Sequence, residues 1–240
     1  MLDHSILGVV EVREQSWTLD DASVYEAAVG GPSPAFPITL AQHGGPQLGL
    51  TGADMTQVLH ATQTLVVEQP LPAEGTMTVT KTVTDIFDKG SGALVVSTWE
   101  TPYFSTRSSC FVKGEGGFGG PRGSTPELEV PQRAPDRTWT YQTTEDQALR
   151  YRETGDVNPM HWDPEFAAKA GFDRPILHGL CTLGIALAGM KASMIDCRFT
   201  APVYPGELLT VEHWDGGEFR VRTDRVVLVG QARDHLGAHA

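Results

Sequence analysis

Positive charge is scarce in this chain. Eighteen Lys and Arg stand against 30 Asp and Glu in 240 residues, a formal net charge of −12 at pH 7. Such a surface repels a phosphate backbone, which argues against nucleic acid as a partner. It also repels an anionic carrier, unless Arg and Lys are gathered locally at a site. Cysteine is scarcer still. Cys110, Cys181 and Cys197 are odd in number, far apart and without a CxxC pair, so no disulfide framework is expected. Reduced thiols in a cytoplasmic protein are the simplest expectation. The opening segment, MLDHSILGVVEVREQSW, carries acids and lacks a long apolar stretch. It reads as neither a secretory signal nor a membrane span. The chain is nonetheless 40% hydrophobic and long enough to bury a sizeable core.

Glycine and proline are concentrated in Lys113–Arg137, KGEGGFGGPRGSTPELEVPQRAPDR, which has no apolar periodicity. It predicts a linker over residues 114–137, between an N-terminal unit, 1–113, and a C-terminal unit, 138–240. Gly116–Gly120 resembles a phosphate loop, but no GK[ST] and no helix start follow it. Each half opens with a short helix. The first is capped by Thr18 or Asp20 and ends at Gly30; in the second, Thr144 and Gln147 match a capping box and Gly155 is the stop. Val83–Trp99 reads as two strands around a turn at Asp88–Gly92, and residues 194–202, 206–214 and 219–234 read as further strands. Gly179–Ala192, GLCTLGIALAGMKA, is apolar nearly all round and predicts a buried helix. The layout is α+β, with a curved antiparallel sheet wrapping a central helix. Gly30–Phe36 can be laid over Gly155–His161, where Gly30 and Pro34 match Gly155 and Pro159. Gly31 then stands for Asp156 and Phe36 for His161, which reads as a duplicated unit with one live and one silent copy.

The chemistry is concentrated in Tyr151–Gly184. Asn158-Pro159 disfavours helix and turns the chain, so Asp156 and His161 can share a pocket. Their ordinary pKa values, about 3.9 and 6.5, suit a pair that orients a water and takes its proton near neutral pH. The alternative is an Asp156 that caps a turn and a His161 satisfied in the core. Asp163, followed by Pro164, is expected to cap a new helix that stops at Gly171. The predicted buried helix starts at Gly179, where the N–H groups of Gly179 and Leu180 lack intrahelical partners at the positive end of the dipole. Together they form a candidate oxyanion site for a thioester carbonyl. The competing use of Gly179 is tight packing. His178 is expected to line the pocket or hold the loop. No HExxH or Cys–His spacing supports a metal site built on His161, His178 and Asp163. Cys181, in an apolar helix, is expected to be inert.

Tyr-x-x-x-Gly-Asp-x-Asn-Pro-x-His-x-Asp-Pro from Tyr151, then Pro175-Ile176-Leu177-His178-Gly179-Leu180-Cys181-Thr182-x-Gly184, resembles the signature of MaoC-like (R)-specific enoyl-CoA hydratases, or hydratase 2. The resemblance extends through Asp88–Ala93, Gly116–Gly120, Pro135-Asp136 and Arg198–Glu207. It implies a double hotdog, two curved antiparallel sheets with the central helix retained in the C-terminal half. It implies that Asp156 and His161 activate water, that Asn158 lines the pocket and that the Gly179 N–H holds the thioester oxygen, with His178 and Leu180 beside the substrate. The implied reaction is reversible hydration of a trans-2-enoyl-CoA to an (R)-3-hydroxyacyl-CoA, with an acyl-CoA substrate, no metal or redox cofactor, and a homodimer or an internal pseudo-dimer. A dehydratase on carrier-protein thioesters and a non-catalytic acyl-CoA-binding hotdog are the alternatives. The first half departs in lacking a long apolar helix, which would leave room for a bulky or long acyl chain.

Overall fold

The computed structural model describes residues 1–42, 50–124 and 128–236. The first half contributes β1 (Val10–Trp17), α1 (Leu19–Val29), α2 (Phe36–Gln42), β2 (Val58–Val67), β3 (Gly75–Asp88), β4 (Gly92–Glu100) and β5 (Phe104–Lys113). The second contributes β6 (Arg137–Gln142), α3 (Gln147–Arg152), α4 (Pro164–Lys169), α5 (Gly179–Ala186), β7 (Met194–Phe199), β8 (Leu208–His213), β9 (Glu218–Arg222) and β10 (Val226–Arg233).

Local chemistry sets the helix ends. At α1, Thr18 Oγ1 accepts the Asp21 N–H (3.3 Å) and the Asp21 carboxylate accepts the Thr18 N–H (2.8 Å), a complete capping box. Gly30 stops the helix with φ +86°, and a Cβ there would lie 2.6 Å from Tyr141 Cε2. The box expected at Thr144 is half formed. The Gln147 side chain accepts the Thr144 N–H (3.1 Å), but the N-cap is Asp146. The buried helix is shorter than the expected Gly179–Ala192. The chain turns at Gly189 (φ +75°), whose N–H donates to Pro32 O (2.7 Å).

All pairings are antiparallel, and the strands form one sheet in the order β1-β3-β4-β5-β2-β7-β10-β9-β8-β6. Read from its outer edge, the first half runs β1-β3-β4-β5-β2. The second, read from the other edge, runs β6-β8-β9-β10-β7, the same order of strands. The expectation of two curved sheets is therefore corrected: the double-hotdog strand order is there, but in a single ten-stranded sheet. The cause is the seam. β2 pairs with β7 from Thr62↔Arg198 to Val66↔Met194, so each half's innermost strand satisfies the other's open backbone groups. Among the described residues, β1 and β6 are the sheet edges. The main core brings α1, α2 and α5 together with strands from both halves, including Val29, Ile38, Leu65, Leu183, Ile185, Leu209 and Phe219. Gly184 of α5 comes so close to α1 that a Cβ would lie 2.6 Å from Val29 Cγ1.

Candidate active site

The chain leaves α3 through Gly155 (φ +104°) and turns into a short 3-10 helix, Pro159–His161. Two side chains fix this turn. Asp156 Oδ1 accepts the Asn158 N–H (3.2 Å), and Asn158 Oδ1 accepts the Met160 N–H (3.1 Å). Asp163 then caps α4, accepting N–H groups from Glu165 (2.9 Å) and Phe166 (3.2 Å), so its carboxylate serves the helix.

His161 is oriented through Nδ1, which lies 2.8 Å from Ile176 O. A carbonyl can only accept, so Nδ1 carries the proton and Nε2 is left with its lone pair. The His161 ring lies 3.7 Å, centroid to centroid, from the ring of His178, which in turn lies 4.8 Å from that of Tyr151. His178 is buried, with Nε2 4.0 Å from Asp156 Oδ2. Asp156, His161 and His178 each bring one side-chain atom to within 4.8 Å of the others. Burial pushes the His161 pKa below the ordinary histidine value, against the opposing pull of the Asp156 charge and the bond to Ile176 O. The imidazole is thus neutral at neutral pH and able to accept a proton.

His178 is the N-cap of α5. The first turn bond of that helix runs from Thr182 N–H to His178 O (3.2 Å), so the amides of Gly179 and Leu180 precede it. Packing also restricts Gly179: a Cβ there would lie 2.9 Å from the Phe199 ring. The Phe199 ring in turn lies 4.7 Å from that of His60, a residue of β2 in the first half. His60 Nε2 lies 3.0 Å from Thr62 O, and burial pushes its pKa down to about 4.

All six residues singled out from the sequence, Asp156, Asn158, His161, His178, Gly179 and Leu180, line one cavity of about 850 Å³. Sequence reasoning missed the rest of the wall. His60, Lys81, Trp99, Cys110 and Phe111 come from the first half. Their signal is only strand alternation, which gives a shared face and not what that face encloses. Gly116–Gly120 is occupied from within. The Asp88 carboxylate accepts the N–H groups of Gly90 (2.8 Å), Gly117 (2.9 Å) and Gly119 (2.8 Å), which hold its pKa below the ordinary value. The loop is an anion cradle filled by the chain's own carboxylate.

Residues 127–235 match the family model for the MaoC like domain, and residues 32–114 match that of the MFE-2 hydratase 2 N-terminal domain. The enoyl-CoA hydratase ChsH3 of Mycobacterium tuberculosis is 38% identical over 91% of this chain and 84% of its own length. The chain belongs to the MaoC-like hydratase family. As a MaoC-like hydratase it is a hydro-lyase acting on enoyl-CoA-like thioesters, with the Asp–His cluster in its cavity. The crystal structure of a MaoC-like dehydratase from Phytophthora capsici is 24% identical and superposes with a TM-score of 0.83 over 100% of both chains. A Mycobacterium tuberculosis protein described as having a double hotdog fold covers 94% of this chain and is itself 95% covered, at 15% identity and a TM-score of 0.60.

The cytoplasmic expectation is corrected by the relatives. Those from Drosophila melanogaster, Mus musculus, Neurospora crassa, Arabidopsis thaliana and Saccharomyces cerevisiae are named as peroxisomal enzymes. Unpaired cysteines speak against an oxidising compartment, and they do not single out the cytosol. The MaoC-like hydratase spans 36% of the Drosophila multifunctional enzyme, against 84% of ChsH3. Among the described residues, no helix is long and apolar enough to cross a membrane.

Proposed function

We propose that this chain hydrates trans-2-enoyl-CoA reversibly to (R)-3-hydroxyacyl-CoA, with Asp156 and His161 as the pair that activates water. The observation that carries the reading is the commitment of His161 Nδ1 to Ile176 O, which leaves Nε2 as the proton acceptor on a side chain that clusters with Asp156 to within 4.8 Å. A water held between the two loses a proton to the pair as its oxygen adds to C3. The electron pair of the double bond moves onto the thioester oxygen, where the Gly179 N–H at the start of α5 meets the growing negative charge. The enolate then collapses, C2 gains a proton, and the net reaction is addition of one water. Elimination runs through the same groups in reverse. Asn158 holds the turn that carries Asp156, while His178 and Leu180 wall the thioester end. The acyl chain runs into the first half, where the cavity continues past residues of β1, β3, β4 and β5.

The test is hydration of crotonyl-CoA and a long trans-2-enoyl-CoA by the purified chain, followed as loss of enoyl absorbance. Asp156→Asn and His161→Gln should each lower kcat/KM by roughly 10²–10⁴-fold, the usual share of acid–base catalysis. An (R)-selective dehydrogenase should consume the product. Folded variants that retain wild-type rates, or an (S)-product, would overturn the reading.

A further inference from the structure

The first half has Gly31 and Phe36 where the second has Asp156 and His161, yet it brings one imidazole to the reaction centre. His60 lines the cavity, close enough for the charges of both Asp156 and His161 to act on it. Its Nε2–H is given to Thr62 O (3.0 Å), since a carbonyl can only accept. Burial holds its pKa near 4, so at neutral pH the ring is uncharged and packs as an aromatic.

A break in the strand puts His60 there. β2 pairs with β5 as His60↔Cys110 and then Thr62↔Ser109, so Ala61 is an extra residue, a β-bulge. Gln63 and Leu65 are fully buried, Gln63 accepting a bond from Gln42 of α2 (3.0 Å) and Leu65 lying in the main core. Unbroken alternation would carry that inner face to position 61 and turn position 60 away from it. The bulge re-aims His60 toward Phe199, the residue after the Thr62↔Arg198 pair of the seam.

Phe199 is the link to the oxyanion amide. The His60 and Phe199 rings lie 4.7 Å apart at a tilt of 51°, within the range of packed aromatic pairs. The same Phe199 ring is so close to Gly179 that a Cβ there would lie 2.9 Å from both Cδ1 and Cε1. Phe199 is only partly buried and borders the cavity. A ring with open space on one side keeps rotamer freedom that its remaining neighbours must remove. Where it settles decides how far the start of α5 can advance, and a donor to a developing charge must be placed to within a fraction of an ångström.

Resting on the hydratase reading, we propose that His60 is a positioning residue: by backing the Phe199 ring, it holds the Gly179 N–H where the thioester oxygen gathers charge. His60 moves no proton. The half without the acid–base pair thus keeps a duty in the reaction, passed across the seam from β2 to β7 to α5. The effect belongs to the thioester end, so it is independent of acyl length.

The experiment measures kcat and KM separately for crotonyl-CoA and a long trans-2-enoyl-CoA. His60→Ala should lower kcat by roughly tenfold or more on both, short of the 10²–10³-fold loss of a whole oxyanion donor, with KM little changed. His60→Phe, which keeps a ring against Phe199, should recover most of that loss. In a Phe199→Leu background, His60→Ala should cost little more, because the path runs through that ring. A His60→Phe variant as slow as His60→Ala overturns the proposal, since an imidazole nitrogen would then be acting directly. So does a rise in KM confined to the long substrate, the mark of an acyl-chain wall, or losses that multiply in the double variant. If His60→Ala does not fold, Phe199→Leu decides: kcat lowered with KM kept supports the proposal, and unchanged kcat overturns it. If the wild type turns over neither substrate, the hydratase reading is lost. The amide signal of Gly179, identified in protein carrying nitrogen-labelled glycine by its absence from Gly179→Ala, then decides the positioning by itself. His60→Ala should move that signal and His60→Phe should leave it near its wild-type place; a signal unmoved in His60→Ala overturns the proposal.

Discussion

On the proposed mechanism, in which His161 Nε2 takes the water's proton, His161 should set the acid limb of the activity, and burial holds its pKa below the ordinary 6.5. Lowering pH through 6.5 should therefore leave kcat/KM for crotonyl-CoA nearly flat, with the fall coming further into the acid range. A limb centred at or above 6.5, read from a pH–rate profile, would mean that the Asp156 charge and the Ile176 bond outweigh burial. Gly179 carries a second prediction. A Cβ there would lie 2.9 Å from the Phe199 ring, so Gly179→Ala must move either the ring or the start of α5. The expected result is a folded protein with kcat down by roughly tenfold to a hundredfold, below the full loss of an oxyanion donor. Unchanged kcat would sink the assignment of its N–H. At this scale the part of the candidate site that the second half brings to the cavity wall was legible. Asp156, Asn158, His161, His178, Gly179 and Leu180 sit close in sequence, and a proline and a glycine mark the turns that converge them. His60 and Lys81 were not legible, because a lone His or Lys within a strand reads as an ordinary sheet residue until its face is known to line a cavity.

Helix ends follow from side-chain chemistry at α1, where Thr18 and Asp21 exchange bonds and Gly30 provides the left-handed stop. Thr18→Ala should cost about 1 kcal/mol in a urea melt, the usual worth of an N-cap. The second-half box was read correctly in only one of its two bonds, because Asp146 intervenes as the cap. The buried helix was overestimated for a related reason. Its apolar composition continues past Ala186, but composition cannot show that the Gly189 N–H finds Pro32 O in the other half and draws the chain away. The seam is the element on which both halves depend. Thr64 pairs with Arg107 of β5 on one side and Asp196 of β7 on the other. A proline at Thr64 removes a ladder donor inside the sheet, and a loss of a few kcal/mol is expected. Stability within about half a kcal/mol of wild type would mean that the seam contributes little.

The single sheet is a whole-molecule property. Each strand has its own signature in sequence, yet nothing local in Thr62–Val66 says that it will meet Met194–Arg198 and not the edge of a second molecule. The same long-range closure buries further histidines. His213 is 1% exposed, with Nε2 3.3 Å from Ala186 O at the end of α5, and burial pushes its pKa from 6.5 to about 4. His60 is displaced equally far. For both groups the unfolded chain takes up a proton near 6.5 while the folded chain resists until about 4. Between those values the unfolded state binds more protons, so stability falls as pH falls. Above 6.5 the two contribute no pH dependence. The net charge of −12 acts in the opposite direction, since acid relieves its repulsion. Most carboxylates stay ionised until about pH 5, however, so the histidines should dominate from 6.5 down to there. The melting temperature should thus be lower at pH 5.5 than at pH 7.5, by several degrees at roughly 1 kcal/mol per histidine. Replacing His213 by Gln should reduce that difference, whatever it does to the melting temperature at pH 7.5. A melting temperature that rises on acidification would show that charge repulsion outweighs the buried imidazoles.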